Sequence, residues 1–437
     1  MKFNFYINKM DSDEISINKK DELNRIITKD ILKNLKSDYF LKKIFNYLQK
    51  NKSLTIIKYC KNIQQRLNIT INEYKNYSEI YSSIVLEIIP INTQYSNIFI
   101  NFSKEEKSFY HIYFDDNKEE IQRNYFKEKE MVKKIKIIVD YKIKSFSSLF
   151  SWCECIRAIN FKKIYRKNII DISKMCYGCA SLKEINFSNF ITDNITDMSF
   201  LFWSCYSLKE INLSNFNTSN VKDMTSMFNG CESLKEINLC NFNTNNVKNM
   251  ACMFNQCKRL KKLNLSNFDT SQVTDFFAFF SGCKSLEEID ISNFDTKNAE
   301  SMSNMFSSCI SLHELNLSNF NTSNVHDMRA MFNNCYSLEE LNLSNFSSNK
   351  ITDLGSMFSG CSSLREVDIS NLNTMNVSHF DNMFSGCSSL NEIKIFGFNT
   401  NVEYADFERM FFRCPEELKT KIRNKYKNIK EEAFSDK

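Results

Sequence analysis

Ten cysteines stand 26 residues apart, at positions 153, 179, 205, 231, 257, 283, 309, 335, 361 and 387. An eleventh, Cys414, follows one residue late. The chain between them repeats as well. Met227-Phe228-Asn229-Gly230-Cys231 is followed 26 residues later by Met253-Phe254-Asn255-Gln256-Cys257. A fixed period of this length is the signature of stacked repeats, where no unit can bury its apolar face without a neighbour. The period predicts a solenoid over most of the chain. It also removes the two or three domains that 437 residues would otherwise suggest, because a stack grows in one dimension.

One unit, Cys205 to Gly230, shows what the pattern asks for. Leu208, Ile211 and Leu213 have the spacing of a short strand facing a core, ended by Asn215 and Phe216. Thr218-Ser219-Asn220 is turn chemistry and can cap a helix. Val221, Met224, Met227 and Phe228 fall at i, i+3, i+6 and i+7, which predicts one short helix with its apolar face inward. Asp223 would sit at the positive end of its dipole. Gly230 would follow its end, where left-handed backbone is wanted, with Gly178, Gly282, Gly360, Gly386 and Asn334 in the same slot. The expected fold is therefore α/β: a right-handed coil of about eleven strand–helix units with a parallel sheet on one side. Two phenylalanine columns should run along it, one through Phe216 and Phe242, the other through Phe228 and Phe254.

The expected boundaries are a helical region at 1–68, a small β-rich cap at 69–134, the repeats at 135–414 and a capping helix from 415 to 437. Leu41, Ile44, Phe45 and Leu48 form one face of an amphipathic helix, and a second helical segment runs through Leu54, Ile57, Cys60, Ile63 and Leu67. Ile84–Ile91, Ile98–Phe102 and Tyr110–Phe114 are rich in β-branched and aromatic residues and read as strands, with Glu119–Met131 as helix or loop. These strands could close the first edge of the repeat sheet. Gly397 and the late Cys414 mark an altered last unit. Pro415-Glu416-Glu417 then opens the final helix with the residues a first turn favours.

Two resemblances rest on these residues. The motif Met-Phe-x-Gly-Cys-x-Ser-Leu-x-Glu-Ile-Asn-Leu-Ser-Asn-Phe-Asn-Thr-Ser-Asn-Val, over roughly 135–414, resembles the 26-residue leucine-rich repeat of BspA-like surface proteins. It implies a leucine-rich-repeat solenoid, adhesion or protein binding, and no catalytic residues. Leu35, Leu41, Ile44-Phe45, Tyr47-Leu48, Leu54, Cys60-Lys61 and Leu67 resemble the start of an F-box, which implies a ubiquitin-ligase adaptor as partner. Lys36 stands where that family usually has proline. The same residues also fit a plain helical cap.

Composition narrows the function. The surplus of Lys and Arg over Asp and Glu is six in residues 1–134, and the rest of the chain carries −1, too little to argue for nucleic acid. No run of apolar residues is long enough for a membrane span, and Met1–Asp11 lacks a secretory pattern, so a cytoplasmic protein with reduced thiols is expected. His111, His313, His326 and His379 pair with no nucleophile motif, and no Gly-rich phosphate loop is present. No enzyme and no cofactor are expected.

Three sets of residues remain as candidate sites. Cys153, Cys155, Cys176 and Cys179 could supply four thiolates to zinc, although Cys153 and Cys179 belong to the repeated column, which also fits a small soft residue buried by symmetry. Glu210, Glu236, Glu288, Glu314, Glu340 and Glu366 form an outward acidic column, readable as a solvated face or as a protein-binding one. Lys258, Arg259, Lys261 and Lys262 break that column, and Phe277 adds an aromatic at a normally polar position, a combination typical of a binding hot spot. A non-catalytic interaction scaffold is the leading expectation, with an F-box-type substrate receptor and a surface adhesin as alternatives.

Overall fold

The computed structural model describes residues 35–47, 53, 61–91, 96–395, 405–426 and 429–435. The chain divides into two compact units, Met1–Ser83 and Ile84–Lys437.

The first unit contains helices α1 (Asp38–Tyr47), α2 (Lys61–Arg66) and α3 (Ile71–Tyr81). Leu41, Phe45 and Ile63 are buried together, with Leu35, Ile44, Leu67, Ile69 and Tyr74 packed against them. Arg66 pairs with Asp38 at 2.8 Å and also donates to the Leu35 carbonyl. Helix α3 starts on a reciprocal cap. The Thr70 N–H donates to Glu73 Oε2 (2.7 Å), and the Glu73 N–H donates to Thr70 Oγ1 (3.1 Å). Of the F-box-like positions, Leu48, Leu54 and Cys60 lie outside the described residues.

The second unit begins with β1 (Ile84–Pro90), β2 (Tyr110–Phe114), β3 (Ile135–Val139), β4 (Ile156–Lys163) and β5 (Glu184–Asn186), in the sheet order β2-β3-β1-β4-β5. β1 runs antiparallel to both β3 and β4, while β4 and β5 are parallel. The strand expected at Ile98–Phe102 is reduced to one bridge, Ile98 to Tyr125. Glu119–Met131 has no helix. Two further sheets have two short parallel strands each: β6 (Lys262–Asn264) with β7 (Glu288–Asp290), and β8 (Glu366–Asp368) with β9 (Glu392–Lys394). Helix α4 (Glu416–Lys425) follows Pro415 and buries Leu418 and Ile422.

The expected α/β solenoid with a helix in every leucine-rich repeat is overturned. Among the described residues between β4 and α4 the only helical element is a three-residue 3-10 turn, Thr374–Asn376, and the strands belong to three separate sheets. Where a helix was expected, the chain makes a run of linked tight turns. Met227 N–H bonds to Met224 O, Asn229 to Ser226 and Cys231 to Phe228, each reaching back three residues. Ser226 (φ 54) and Gly230 (φ 76) are left-handed, which a right-handed helix cannot absorb. The alternate N–H groups leave the unit altogether. Met224, Ser226, Phe228 and Gly230 donate to the carbonyls of Asn249, Ala251, Met253 and Asn255, at 2.7–2.9 Å. A non-glycine residue held left-handed costs about 1–2 kcal/mol. Inter-unit bonds of about 0.5–1.5 kcal/mol each offset that cost. The helix-like spacing of Val221, Met224, Met227 and Phe228 is real, since all four are buried, but stacked turns also bring those positions inward.

Side chains lock the stack at the same places in unit after unit. Asp197, Asp223, Asp275, Asp327 and Asp353 each accept the N–H two residues ahead at 2.7–2.9 Å, making turn caps rather than helix-dipole partners. A column of single parallel bridges links these positions at the 26-residue interval, Asp197 to Asp223 and Asp327 to Asp353 among them. A second set of caps uses Asn212, Asn238 and Asn264, and a third Asn217, Asn243 and Asp269. Buried threonines clip one unit to the next. Thr218 Oγ1 donates to Asn243 O and accepts from Asn243 N–H, both at 2.8 Å.

The Phe228 column is a continuous ring stack. Phe202, Phe228, Phe254, Phe280, Phe306, Phe332, Phe358, Phe384, Phe411 and Phe434 follow one another at 5.3–6.0 Å, with interplanar angles of 20° or less. The Phe216 column is looser, with 6.3 Å between Phe190 and Phe216 and 6.4 Å between Phe242 and Phe268.

Both ends of the turn stack are closed by other segments. At the start, Asn101 donates through its backbone to Leu149 O (2.7 Å) and through Nδ2 to Ser148 O and Ser151 O. At the finish, Arg409 and Phe411 N–H groups donate to Glu432 O (3.0 Å) and Ala433 O (2.8 Å).

Candidate functional site

The segment Leu-Lys-Glu-Ile-Asn-Leu at 208–213 and 234–239, with close variants in the other units, places its outer apolar residues in the core and lifts Glu and Asn outward. In three consecutive units this builds a trough. Its rim is Glu184, Glu210 and Glu236 on one side and Asn212 and Asn238 on the other, over a floor of Ile185, Ile211 and Ile237. The trough continues over Leu239, Lys262, Leu263, Glu288, Ile289 and Asp290, so one concave strip crosses five units. Ile211, Ile237 and Ile289 are half-buried, and their remaining surface faces this strip. The asparagines are held by their turn caps and cannot swing freely. Glu184, Glu210 and Glu236 have no ion pair among the described residues, so the near half of the trough is uncompensated negative charge.

The basic cluster interrupts this strip and neutralises it. Lys262 faces Glu288 across the β6–β7 ladder and pairs with it at 2.5 Å. Lys258 pairs with Glu232 at 2.6 Å and Lys261 with Glu287 at 3.3 Å. Arg259 is exposed and has no ion pair among the described residues. Phe277 is 42% exposed on the turn run, where its carbonyl accepts the Cys252 N–H. Among the described residues no cation lies over its ring, so the structure joins Lys262 to the trough and leaves Phe277 outside it. Glu314, Glu340 and Glu366 continue the exposed column beyond Glu288.

The four zinc-candidate cysteines are buried, and three of them are turned to backbone oxygens. Cys155 Sγ donates to Ile98 O at 3.2 Å, Cys179 to Phe150 O at 3.0 Å, and Cys153 lies 3.8 Å from Ser151 O. Burial pushes the Cys153, Cys155 and Cys176 thiols up, the opposite of what a thiolate ligand needs. Their sulfurs form no grouping that could share an ion among the described residues. The rest of the column repeats one bond, as in Cys231 to Phe202 O and Cys257 to Phe228 O, both at 3.2 Å. The column is thus a row of buried thiol donors, a role the 26-residue spacing could not reveal.

One electrostatic feature was invisible in the sequence. Arg329 reaches across a whole unit to Asp381, with bonds of 3.1 and 3.0 Å, and also meets Asp353 at 3.5 Å. Gly355 makes this possible, because a Cβ there would lie 2.6 Å from Asp381 Oδ1 and would strike Arg329 Nη1. Asp381 also belongs to the His379–Asp381–Asp406 group, whose ligand atoms lie within 4.8 Å of one another, but Arg329 already holds both of its oxygens. Burial raises the Asp381 carboxyl, yet the Arg329 bonds and charge outweigh burial and hold it below its usual range. A carboxyl depressed in the folded state stabilises above its unfolded value and loses that contribution as pH falls through the folded value. Melting temperature against pH should therefore fall less steeply on the acid side for Asp381→Asn than for the native chain. Identical acid limbs would show that the clamp contributes nothing.

No helix among the described residues is long and apolar enough to cross a membrane. No curated protein matches the chain. A family model covers most of the repeats in three overlapping stretches, 144–262, 226–346 and 338–431. With the repeats so covered, the chain belongs to the family described as Mycoplasma protein of unknown function, DUF285.

Proposed function

We propose that this repeat protein is a non-catalytic interaction scaffold that binds a protein partner in the strand-face trough. The observation that carries the reading is an apolar floor, buried Ile185 and half-buried Ile211 and Ile237, beneath three carboxylates with no ion pair among the described residues. Half-buried aliphatic surface ringed by fixed polar groups is the make-up of a protein interface. The sign of the rim selects a partner with basic side chains, and complementarity of this kind sets encounter rate and specificity. The resemblance to BspA-like repeats agrees with protein binding. A reducing, cytoplasmic setting suits the fifteen free cysteines described.

The test is capture of partners by the full chain, by Glu184→Lys with Glu210→Lys and Glu236→Lys, and by the matched reversal of Glu314 and Glu340. A partner held by the native chain and the matched control, and lost from the triple variant, is the expected result. Equal capture by all three removes the trough from the function. A ubiquitin-ligase adaptor among the captured proteins that disappears on deleting residues 1–83 would instead favour the F-box-type receptor.

A further inference from the structure

Both tryptophans of the chain stand on one surface. Tyr177 and Trp203 occupy the same slot of successive units, a slot that holds Asn or Ser from Asn229 to Ser385. Their rings stack at 4.3 Å with planes 8° apart. Trp152 packs edge-on to both, at 5.4 and 6.1 Å. It lies against Gly178, where a Cβ would come within 2.6 Å of its Cε3, so only glycine lets the indole settle there. The result is a packed platform, not a loose patch, and Trp152 remains 58% exposed. Large aromatic groups on a surface slot otherwise kept small and polar mark a place where something docks.

The chemistry of the occupant follows from the surroundings. Aromatic faces attract cations, and the chain already holds one beside the platform, with Lys174 Nζ 5.5 Å over the Phe200 ring and that ring 6.2 Å from Tyr177. The same turn runs begin with Asp171, Asp197 and Asp223, whose carboxylates cap backbone N–H groups and have no ion pair among the described residues. Glu154, two residues after Trp152, is exposed and has no ion pair among the described residues. Nucleic-acid bases would stack on such rings, but their phosphates would meet this negative charge. A planar guanidinium suits both features, stacking on the ring face with its charge favoured by the acidic groups of the same turn runs.

We propose that the Trp152–Tyr177–Trp203 platform docks an arginine-bearing segment of a partner protein. The surface is separate from the trough and does not depend on it.

Because both tryptophans lie here, intrinsic fluorescence of the full chain reports on this surface directly. The probe is an acetylated Arg-Gly-Arg-Gly-Arg peptide taken to millimolar concentration, beside a version with citrulline, the neutral isostere, in place of each arginine. A saturable fluorescence change with the arginine peptide is expected, with the citrulline version at least about tenfold weaker, a difference typical of losing a charged contact. Tyr177→Ser keeps both tryptophans and uses the repeat's own residue for that slot. It should weaken binding about tenfold without moving the melting temperature appreciably. The trough triple variant should bind as the native chain does. No saturable change, equal binding of the citrulline peptide, undiminished binding by Tyr177→Ser, or loss of binding in the trough variant would each overturn the proposal.

Discussion

Replacing Phe254 by alanine should lower stability by about 3–5 kcal/mol, the range for a fully buried phenylalanine whose site cannot collapse. The ring is completely buried, 5.7 Å from Phe228 and 6.0 Å from Phe280, and meets the edge of Phe279 at 5.6 Å. Its neighbours are held on both sides by inter-unit backbone bonds and cannot move in to fill the space. Equilibrium urea denaturation measures the effect. Because most contacts of a unit are with its neighbours, a gap in the middle of the stack should also broaden the transition as the two halves uncouple. A loss under about 1 kcal/mol would mean that the ring column is bystander packing and the backbone ladder alone sets stability.

Thr218→Val should be the second-largest effect, although the two side chains are nearly the same size. Thr218 is 1% exposed, and its hydroxyl satisfies both the N–H and the carbonyl of Asn243. Valine removes the shared partner of both groups in a part-buried site, a loss of about 1–3 kcal/mol for the pair. Thr218→Ser keeps both bonds and loses one methyl, so it should cost less, about 1 kcal/mol. Denaturation midpoints of the two variants, compared with the native chain, decide the matter. Serine as harmful as valine would show that the methyl, not the clip, is what the position needs.

The period, the buried positions and the left-handed slot at Gly230 were readable in the sequence, because each depends on residue type at a fixed place. The helix was misread for a definite reason. Val221, Met224, Met227 and Phe228 face inward at helical spacing, but the spacing says nothing about where the N–H groups go. Ser226 is left-handed with no glycine to announce it. The signal that could have corrected the reading was the Asp column through Asp171, Asp197, Asp223, Asp275, Asp327 and Asp353, followed two residues on by Ser or Thr in the first three, which favours turn caps over helix interiors, together with the two Asn or Asp columns through Asn212 and Asn217. The cysteine column and the Arg329–Asp381 clamp were out of reach, since their partners lie 29 and 52 residues away. Of the trough, the glutamates could be found, but not the half-exposed isoleucines beneath them, whose alternation matched an ordinary core strand. The pairing of Lys258, Lys261 and Lys262 with glutamates one unit away needed the register.

Within each turn run the inter-unit bonds point forward, and only the N–H just before the run, as in Lys222 to Thr196 O, points back. From Phe146 onward the alternate N–H groups of each run donate to the following unit. The stack is therefore a polar object with two unlike faces, acceptors at its beginning and donors at its finish. Asn101 stops the first and the carbonyls of Glu432 and Ala433 stop the second. A fragment cut between units would lose one stopper and expose a face that matches the opposite end of another fragment, never its own. Self-assembly by such pieces would be head-to-tail and open-ended, building threads rather than closed pairs. The two stoppers thus act as a guard against polymerisation, built from one asparagine and a few residues of backbone.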